Sequence, residues 1–243
     1  MVRRPIHRID GDMVKPEFDE LAEEVIVSIY NNDEVVVRLL ATPEDLEDLA
    51  VGHIACEGKG DIEDISVNNH EITINGSIKM RPRDDILTAA CGVCTSGEIE
   101  IPLSIVDNTQ RLSARIQDMM NLMREDQPKF AATGGIHAAS IFDQEGKLLL
   151  TREDIGRHNA FDKAIGAAIR SGIVPKIIGL SGRIGWELVA KAIRSNVEII
   201  IGVGAISSAA ETLSRNSGIT LVGFASREKP VVIGTLSRII DKP

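Results

Sequence analysis

Beyond Pro128 the chain alternates short β-branched runs with segments of helical periodicity, and glycines separate them. Apolar runs at residues 136–142 and 148–151 flank a four-residue turn and predict a hairpin. Further strands are predicted at 176–180, 198–203 and 220–224, and helices at 159–170, 184–194 and 207–215. Strand–helix alternation of this kind indicates a largely parallel sheet covered by helices. The sequence therefore predicts an α/β fold for this half of the chain.

The first half predicts a smaller α+β portion. Runs at 25–30 and 35–40 predict a hairpin, and a second strand pair is expected around 65–74. The segment Thr42-Pro43-Glu44-Asp45 predicts a helix start, with a capping hydroxyl and proline in the first turn, and this helix should reach about residue 55. Apolar residues between 112 and 123 have the spacing of another helix.

These patterns divide the chain into three segments. Residues 1–20 are polar and contain prolines, which predicts a loose N-terminal arm. Residues 21–127 form the predicted α+β portion, which holds a functional loop at 82–98. Residues 128–243 form the predicted α/β portion.

Charge and composition argue against two kinds of partner. The formal net charge is −9, and aromatic residues make up 3% of the chain. An acidic protein repels phosphate backbones, and a stacking platform for single-stranded nucleic acid needs several aromatic side chains. No stretch approaches the roughly 18 to 20 apolar residues of a membrane span, and the N-terminus lacks an apolar signal segment. We expect a cytoplasmic protein that binds neither nucleic acid nor membrane.

Two of the three cysteines form the pair Cys91-Gly92-Val93-Cys94. Three thiols cannot all pair within one chain, so a framework of structural disulfides is not expected. A Cys-x-x-Cys pair in a glycine-bearing loop is typical of redox chemistry, metal binding or sulfur transfer, and its setting often lowers a thiol pKa. Attack of such a thiolate on a donor persulfide would transfer the outer sulfur of the donor to the attacking cysteine. Two inert buried cysteines are the alternative, which the glycine-flanked loop disfavours.

A zinc site is a second interpretation of the pair. His53 and Cys56, three residues apart on the predicted first helix, could join Cys91 and Cys94 as ligands, or could simply be core and surface neighbours. A zinc base deaminase requires His-x-Glu and Pro-Cys-x-x-Cys. The chain contains no His-x-Glu, and Ala90 stands where the proline is required. A thioredoxin-like pair would follow a strand and open a helix, which this loop does not do.

Polar and glycine-rich segments fall at several predicted strand–helix junctions. They are Thr133-Gly134-Gly135-Ile136-His137, residues 152–159 followed by Asp162 and Lys163, Ser181-Gly182-Arg183, and residues 202–208. The carboxyl ends of parallel strands meet at one edge of a sheet, where α/β folds place ligands. Arg157 and His158 at a helix start could hold an anion beside free backbone N–H groups. A solvated turn is the alternative at each junction, and His137 could equally be a core histidine.

Together these segments resemble the FdhD family of formate dehydrogenase accessory sulfur carriers. The resemblance spans about residues 22–240. It rests on the cysteine pair, the junction segments above, residues 187–192 and 220–224, and an N-terminal match at 42–52 and 57–58. It implies a cytidine-deaminase-like main domain with a three-layer α/β/α arrangement, a smaller N-terminal α+β portion, and a homodimer.

The resemblance also implies a function. Members take persulfide sulfur from a cysteine desulfurase and pass it to the Mo or W bis-molybdopterin guanine dinucleotide of a formate dehydrogenase. Cys91 corresponds to the persulfide carrier, Cys94 assists it, and no permanent cofactor is expected. Binding of the recipient nucleotide is predicted at Phe224, Ala225, Ser226, Arg227, Glu228, Lys229, Gly134, His137, Arg157, His158, Ser181 and Arg183.

The chain departs from the family pattern at a few positions. Thr95 replaces a glycine after the second cysteine, and Ser226 replaces an arginine that here comes one step later. His53 and Cys56 are also unusual. They leave open an alternative function, a zinc-stabilised nucleotide-binding scaffold that uses His53, Cys56, Cys91 and Cys94.

Overall fold

The computed structural model describes residues 1–79, 86–87 (backbone only), 102 and 104–239. The strands are β1 (Val2–Asp10), β2 (Met13–Leu21), β3 (Val25–Asn31), β4 (Glu34–Ala41), β5 (Gly60–Asn68), β6 (Glu71–Ile78), β7 (Ile86–Leu87), β8 (His137–Phe142), β9 (Leu148–Asp154), β10 (Ile177–Leu180), β11 (Ile199–Gly202), β12 (Thr220–Gly223) and β13 (Val231–Ile233). The helices are α1 (Leu46–Cys56), α2 (Ile116–Glu125), α3 (Pro128–Thr133), α4 (Arg157–Arg170), α5 (Trp186–Arg194) and α6 (Ser208–Ser217).

The N-terminal residues form a regular hairpin, and the predicted loose arm at 1–20 is wrong. β1 and β2 pair antiparallel over nine residues around a turn at Gly11. Pro5 and Pro16 suggested a loop because proline removes a ladder donor. In a two-stranded sheet, however, each strand has a free edge, so a proline can be accommodated there.

The second sheet has the strand order β5-β6-β3-β4-β7. The antiparallel pairs β3–β4 and β5–β6 confirm both predicted strand pairs, and β3 runs parallel to β6. Val27, Ile29 and Ile72 are fully buried on one face of this sheet. They belong to one apolar cluster with Leu49 and Ile54 of α1, so α1 covers this face.

The third sheet has the strand order β13-β12-β11-β10-β8-β9. β10, β11 and β12 are parallel, whereas β8, β9 and β13 join by antiparallel pairing. The sheet is therefore mixed, and the prediction of a largely parallel sheet holds only for its centre. The connections within β8–β9 and β12–β13 are too short for a crossover helix, so those pairs must be antiparallel.

Helices cover both faces of this central sheet. Alternate residues of a strand point to opposite sides. Ile178 and Ile200 join a buried cluster with α4, α5 and α6, whereas Ile177 and Ile199 pack with the methionines of α2. The three-layer α/β/α arrangement, with a smaller N-terminal α+β portion, is confirmed. The boundaries at 21–127 and 128–243 remain a prediction.

Two predicted helix starts differ from the observed ones. α1 begins after Asp45, whose backbone is left-handed and whose side chain makes no cap. Thr42 instead contacts the loop after β9: its N–H donates to Asp154 Oδ2 at 3.0 Å, and its Oγ1 accepts from the Ile155 N–H at 3.1 Å. α2 begins at residue 116 because Leu112 pairs with the C-terminal segment.

None of the helices in the described ranges combines the length and apolarity that a bilayer crossing requires.

Two glycines fix a very close crossing of α1 and α4. A Cβ on Gly52 would lie 1.7 Å from the carbonyl oxygen of Asp162, and a Cβ on Gly166 would lie 1.9 Å from that of Asp48. Neither position can carry a side chain unless the helices separate. Since α1 covers the second sheet and α4 covers the central sheet, this crossing joins the two portions of the chain.

We expect Gly166→Ala to lower the free energy of unfolding by about 3 kcal/mol or more, because even overpacking among side chains costs about 1–3 kcal/mol. Urea unfolding followed by circular dichroism measures the change. Gly135→Ala is the matched control, since a Cβ there would meet nothing nearer than the Ala22 methyl at 3.6 Å. Equal stability of the two variants would contradict the close crossing.

Candidate functional site

The loops that follow β10, β11 and β12 lie side by side at one edge of the central sheet. The Gly204 N–H donates to the Gly182 carbonyl at 2.9 Å, and the Phe224 N–H donates to the Gly204 carbonyl at 2.9 Å. These bonds continue the parallel ladder one step beyond the strand ends. An added Cβ on Gly204 would lie 2.9 Å from the backbone of Arg183, so this glycine permits the loops to touch.

His137 opens β8 and lies against the first of these loops. Its Nδ1 is 3.3 Å from Ser181 Oγ, and the same hydroxyl accepts the Ala138 N–H at 2.9 Å. The Ser181 N–H donates back to the Ala138 carbonyl at 3.0 Å. The structure thus brings His137 and Ser181 together beside Gly182.

Three arginines and one aromatic ring line this edge. The side chain of Arg157, at the start of α4, lies 3.8 Å from the Cβ position of Gly182, and Arg183 follows that glycine in an exposed position. The Arg227 guanidinium lies 3.9 Å from the centre of the Phe224 ring, within cation–π distance. The residues His137, Arg157, Arg183, Phe224 and Arg227 are called the basic edge below. Clustered cations of this kind favour an anionic ligand on an otherwise acidic protein.

His137 is neutral near pH 7. Burial lowers the pKa of His137, and the charges of Arg157 and Arg183 lower it further, against the opposing charge of Asp154. One nitrogen of the neutral ring therefore carries a proton and can donate a hydrogen bond, and the other can accept one.

The segment after β12 divides between core and surface. Phe224 has a left-handed backbone, φ 53, which turns the chain out of the sheet. Ala225 is fully buried, and its N–H donates to the Gly202 carbonyl at 3.0 Å. Gln117 Nε2 donates a hydrogen bond to the Arg227 carbonyl at 2.9 Å. Ser226, Arg227, Glu228 and Lys229 are exposed.

One further predicted site residue lies at the end of α3, and two lie outside the described residues. Gly134 is exposed and ends α3 in a left-handed conformation, φ 66. Cys91 and Cys94 lie outside the described residues, as does the rest of the predicted loop at 82–98 apart from the backbone of 86–87.

Much of the segment 152–159, with Asp162 and Lys163 after it, is buried and structural. Lys163 Nζ lies 2.7 Å from Asp154 Oδ2 and donates to the Thr42 carbonyl at 2.9 Å. The Asn159 amide donates to Asp154 Oδ1 at 3.0 Å. A buried ion pair of this kind needs such additional hydrogen bonds. They anchor the start of α4 against Thr42, which places Arg157 at the basic edge.

His158, next to Arg157 in the first turn of α4, is a buried ring without hydrogen-bond partners. Neither ring nitrogen is paired, and the residue is 5% exposed. Burial lowers its pKa to about 4, with further contributions from the charges of Lys191 and Arg157. Buried polar groups seldom lack partners, so this ring is an unusual feature of the fold. Its role in binding the nucleotide remains a prediction.

A cluster of buried charges lies one helical turn further along α4, between α1, α4 and α5. Lys191 Nζ is 2.8 Å from both carboxylate oxygens of Asp162 and 2.9 Å from Glu57. Burial would raise the pKa of both acids, but the charge of Lys191 outweighs it and keeps both pKa values low. Sequence reasoning did not find this cluster. A lysine within the apolar helical run 188–193 was the available signal, because an almost fully buried lysine requires an acidic partner.

His53 and Cys56 belong to the surroundings of this cluster. His53 Nδ1 is 3.3 Å from Asp162 Oδ2, and Nε2 is 3.3 Å from Lys59 Nζ. Cys56 Sγ is 3.3 Å from Ser195 Oγ, and burial raises the pKa of this thiol well above its ordinary value. Over the described ranges, no group of three or more His, Cys, Asp or Glu could hold a metal. Zinc at His53 and Cys56 would have to displace these contacts, and no observation favours it.

The fold and the basic edge define an α/β/α protein with a cluster of cationic side chains at the carboxyl ends of its parallel strands. The chain belongs to the FdhD/NarQ family, whose model matches residues 22–240.

Relatives of known name agree with this assignment. The sulfur carrier protein FdhD of Sulfurisphaera tokodaii is 32% identical over 235 residues, covering 91% of this chain and 92% of the relative. The protein of the same name from Streptomyces avermitilis is 32% identical, covering 91% and 89%. A crystal structure assigned as a formate dehydrogenase accessory protein of Desulfotalea psychrophila matches with a TM-score of 0.81 at 22% identity, covering 98% of this chain and 99% of that one. That match establishes the shared fold.

The lowered pKa of His158 predicts how stability depends on pH. Its folded pKa of about 4 lies below the ordinary 6.5, so the unfolded chain binds the proton more readily. The stability contributed by the neutral ring is present above pH 6.5 and is lost as the pH falls towards 4, by on the order of 3 kcal/mol.

We expect His158→Gln to flatten this pH dependence, measured by urea unfolding across the range. His70→Gln, at an exposed turn, is the matched control and should keep the wild-type slope. An unchanged slope in His158→Gln would show that this ring does not titrate as described.

Proposed function

We propose that this protein is a sulfur carrier that serves a formate dehydrogenase, acting as a sulfurtransferase. Family membership and near-full-length relatives named sulfur carrier protein FdhD support this role. The structural observation that supports binding of the sulfur recipient is the basic edge. It groups arginines and an aromatic ring at the strand ends of an acidic chain.

In the loading step, Cys91 accepts sulfur from a cysteine desulfurase. Its thiolate attacks the outer sulfur of the desulfurase persulfide, so a new S–S bond forms on Cys91 as the donor's S–S bond breaks. The donor cysteine leaves as a thiolate, and no electrons are gained or lost overall. The reaction requires reduced thiols, which fits the cytoplasm.

In the release step, Cys94 resolves the persulfide. Attack of the Cys94 thiolate on Cys91 Sγ forms a Cys91–Cys94 disulfide and frees the outer sulfur as hydrosulfide. The two cysteines supply the two electrons that reduce this sulfur. A cellular thiol reductant then restores the pair for another cycle.

The recipient is the Mo or W bis-molybdopterin guanine dinucleotide, bound as a substrate before its insertion into formate dehydrogenase. Its diphosphates suit Arg157 and Arg183, because guanidinium groups bind phosphate through parallel charge-assisted hydrogen bonds. Its guanine bases can stack on the ring of Phe224 or on the plane of Arg227. The other predicted contacts belong to the same proposal. They are Gly134, His137, His158, Ser181, Ala225, Ser226, Glu228 and Lys229.

Cys91→Ala should abolish sulfur loading. After incubation with a cysteine desulfurase and cysteine, intact mass spectrometry should show wild-type protein with one added sulfur on the Cys91 peptide, removable by reductant. Cys94→Ala should load but release its sulfur slowly. Cys56→Ser is the matched control and should load normally, because the Cys56 thiol is buried and protonated. Normal loading of Cys91→Ala would overturn the assignment.

Replacing Arg157 and Arg183 together by alanine should weaken GDP binding at least about tenfold, because a hydrogen bond to a charged group contributes more than the roughly 1.4 kcal/mol of a factor of ten. GDP carries the guanine and diphosphate groups of the substrate, and calorimetry measures its affinity. Arg215→Ala is the control, since this arginine lies in the last turn of α6, away from the basic edge. Unchanged affinity in the double variant would move the nucleotide site elsewhere.

A further inference from the structure

A cleft of 320 Å³ opens where α1, β5 and the last residues of α4 meet. Arg157 of the basic edge stands at the other end of α4, and the 14 residues of this helix rise about 20 Å between the two places. The cleft is therefore a separate feature of the surface. Its volume lies at the lower end of the range for sites that bind ligands.

Apolar side chains from three elements form the inside of the cleft. Val51 and Ala55 come from α1, Ile62 and Ile65 from β5, and Ile169 from α4. The first four are partly exposed and Ile169 is 46% exposed, although valine and isoleucine are usually enclosed. Because these residues surround one concavity, they form a contiguous apolar surface that solvent can reach. Such a surface is a candidate interaction site.

Three carboxylates border this apolar surface. Asp61, Glu63 and Asp64 of β5 line the cleft and are exposed. Within the part of the chain that the structure describes, none of the three forms an ion pair. The five apolar residues and these three carboxylates together are called the acidic cleft below.

Arg170 also lines the cleft, but its charge is compensated. It forms ion pairs with Glu47 and Asp48 of α1. The three carboxylates of β5 therefore keep their negative charge beside apolar surface. Charge complementarity favours a cationic partner, and the apolar surface requires that this partner also carry apolar side chains.

The form of β5 indicates how a partner can bind. Among the described strands β5 is the outer one of its sheet, and its pairing with β6 shifts register between Ile62 and Asp64, which places Glu63 in a bulge. Bulges and charged side chains on an edge strand oppose the addition of a further strand. An amphipathic helix needs no backbone pairing and presents apolar side chains to a groove at positions i, i+3, i+4 and i+7. A helix therefore suits the cleft better than an extended segment does.

We propose that the acidic cleft docks a basic amphipathic helix of a partner protein. Apolar side chains of this helix enter between α1 and β5, and its lysines or arginines reach the carboxylates of β5. Long basic side chains can do so because their stems lie along apolar surface while the charge stays in water. A second copy of this chain is disfavoured as the partner, since its net charge is −9.

The test uses the full chain and a synthetic peptide of leucine and lysine, about 18 residues long so that it can form a helix in water. Leucines at positions i, i+3, i+4 and i+7 give the peptide one apolar face. Fluorescence anisotropy of the labelled peptide should show saturable binding. Hydrogen exchange of the protein should become slower over residues 51–55 and 60–65 when the peptide is bound.

The triple variant Asp61→Asn, Glu63→Gln, Asp64→Asn should raise the peptide Kd at least about tenfold, because the attraction of three carboxylates is lost together. Ile169→Gln should raise the Kd several-fold, because the apolar area that the peptide buries becomes smaller. Circular dichroism should be unchanged in both variants, since all the replaced side chains are exposed.

The matched control makes the same change of charge in the N-terminal segment, with Asp12→Asn, Glu17→Gln and Glu24→Gln, and should leave the Kd unchanged. A scrambled peptide of the same composition, without an apolar face, should bind at least about tenfold more weakly. Absence of binding, equal weakening by the control variant, equal affinity of the scrambled peptide, or protection confined to other residues would each overturn the proposal. None of these measurements involves sulfur, so the proposal can fail while the proposed function stands.

Discussion

The close crossing of α1 and α4 is the contact on which the rest of the architecture depends. Gly52 and Gly166 let the two backbones touch, which no larger residue would permit. At this distance Asp162 of α4 can reach both His53 of α1 and Lys191 of α5. The buried charges are thus compensated only while the helices stay together. Removing one member would leave an unpaired charge in the core, which costs far more than the pair contributes.

The same helix also contributes to the basic edge. The first turn of α4 presents Arg157 to the loops after the parallel strands, and its next turn carries Asp162 and Lys163 into the interior. One short polar segment therefore contributes both to the basic edge and to the core. Its polar residues have two separate roles. Asp154 and Lys163 form an ion pair in the core, while Arg157 remains available for an anion.

Elements whose apolar residues repeat with a regular helix or strand period could be predicted from the sequence, because a few consecutive residues are enough to show which side is buried. The hairpins at β3–β4 and β8–β9 and the helix α4 are of this kind. The local sequence around Thr42 is typical of a helix cap, but its partner Asp154 is 112 residues away, a separation that no local pattern reports. The N-terminal hairpin was missed because most of its residues are exposed on both sides. The grouping of His137 with Ser181 followed from topology, whereas the cluster around Lys191 needed the third dimension.

The burial of Cys56 gives the molecule an internal reporter. Its thiol is fully enclosed beside Ser195 and is protonated at neutral pH. An alkylating reagent can reach this thiol only when α1 separates from its neighbours. The rate of alkylation therefore measures how often the two portions of the chain separate. Hydrogen exchange would average such openings over many amides, whereas this single sulfur samples them at the joint itself.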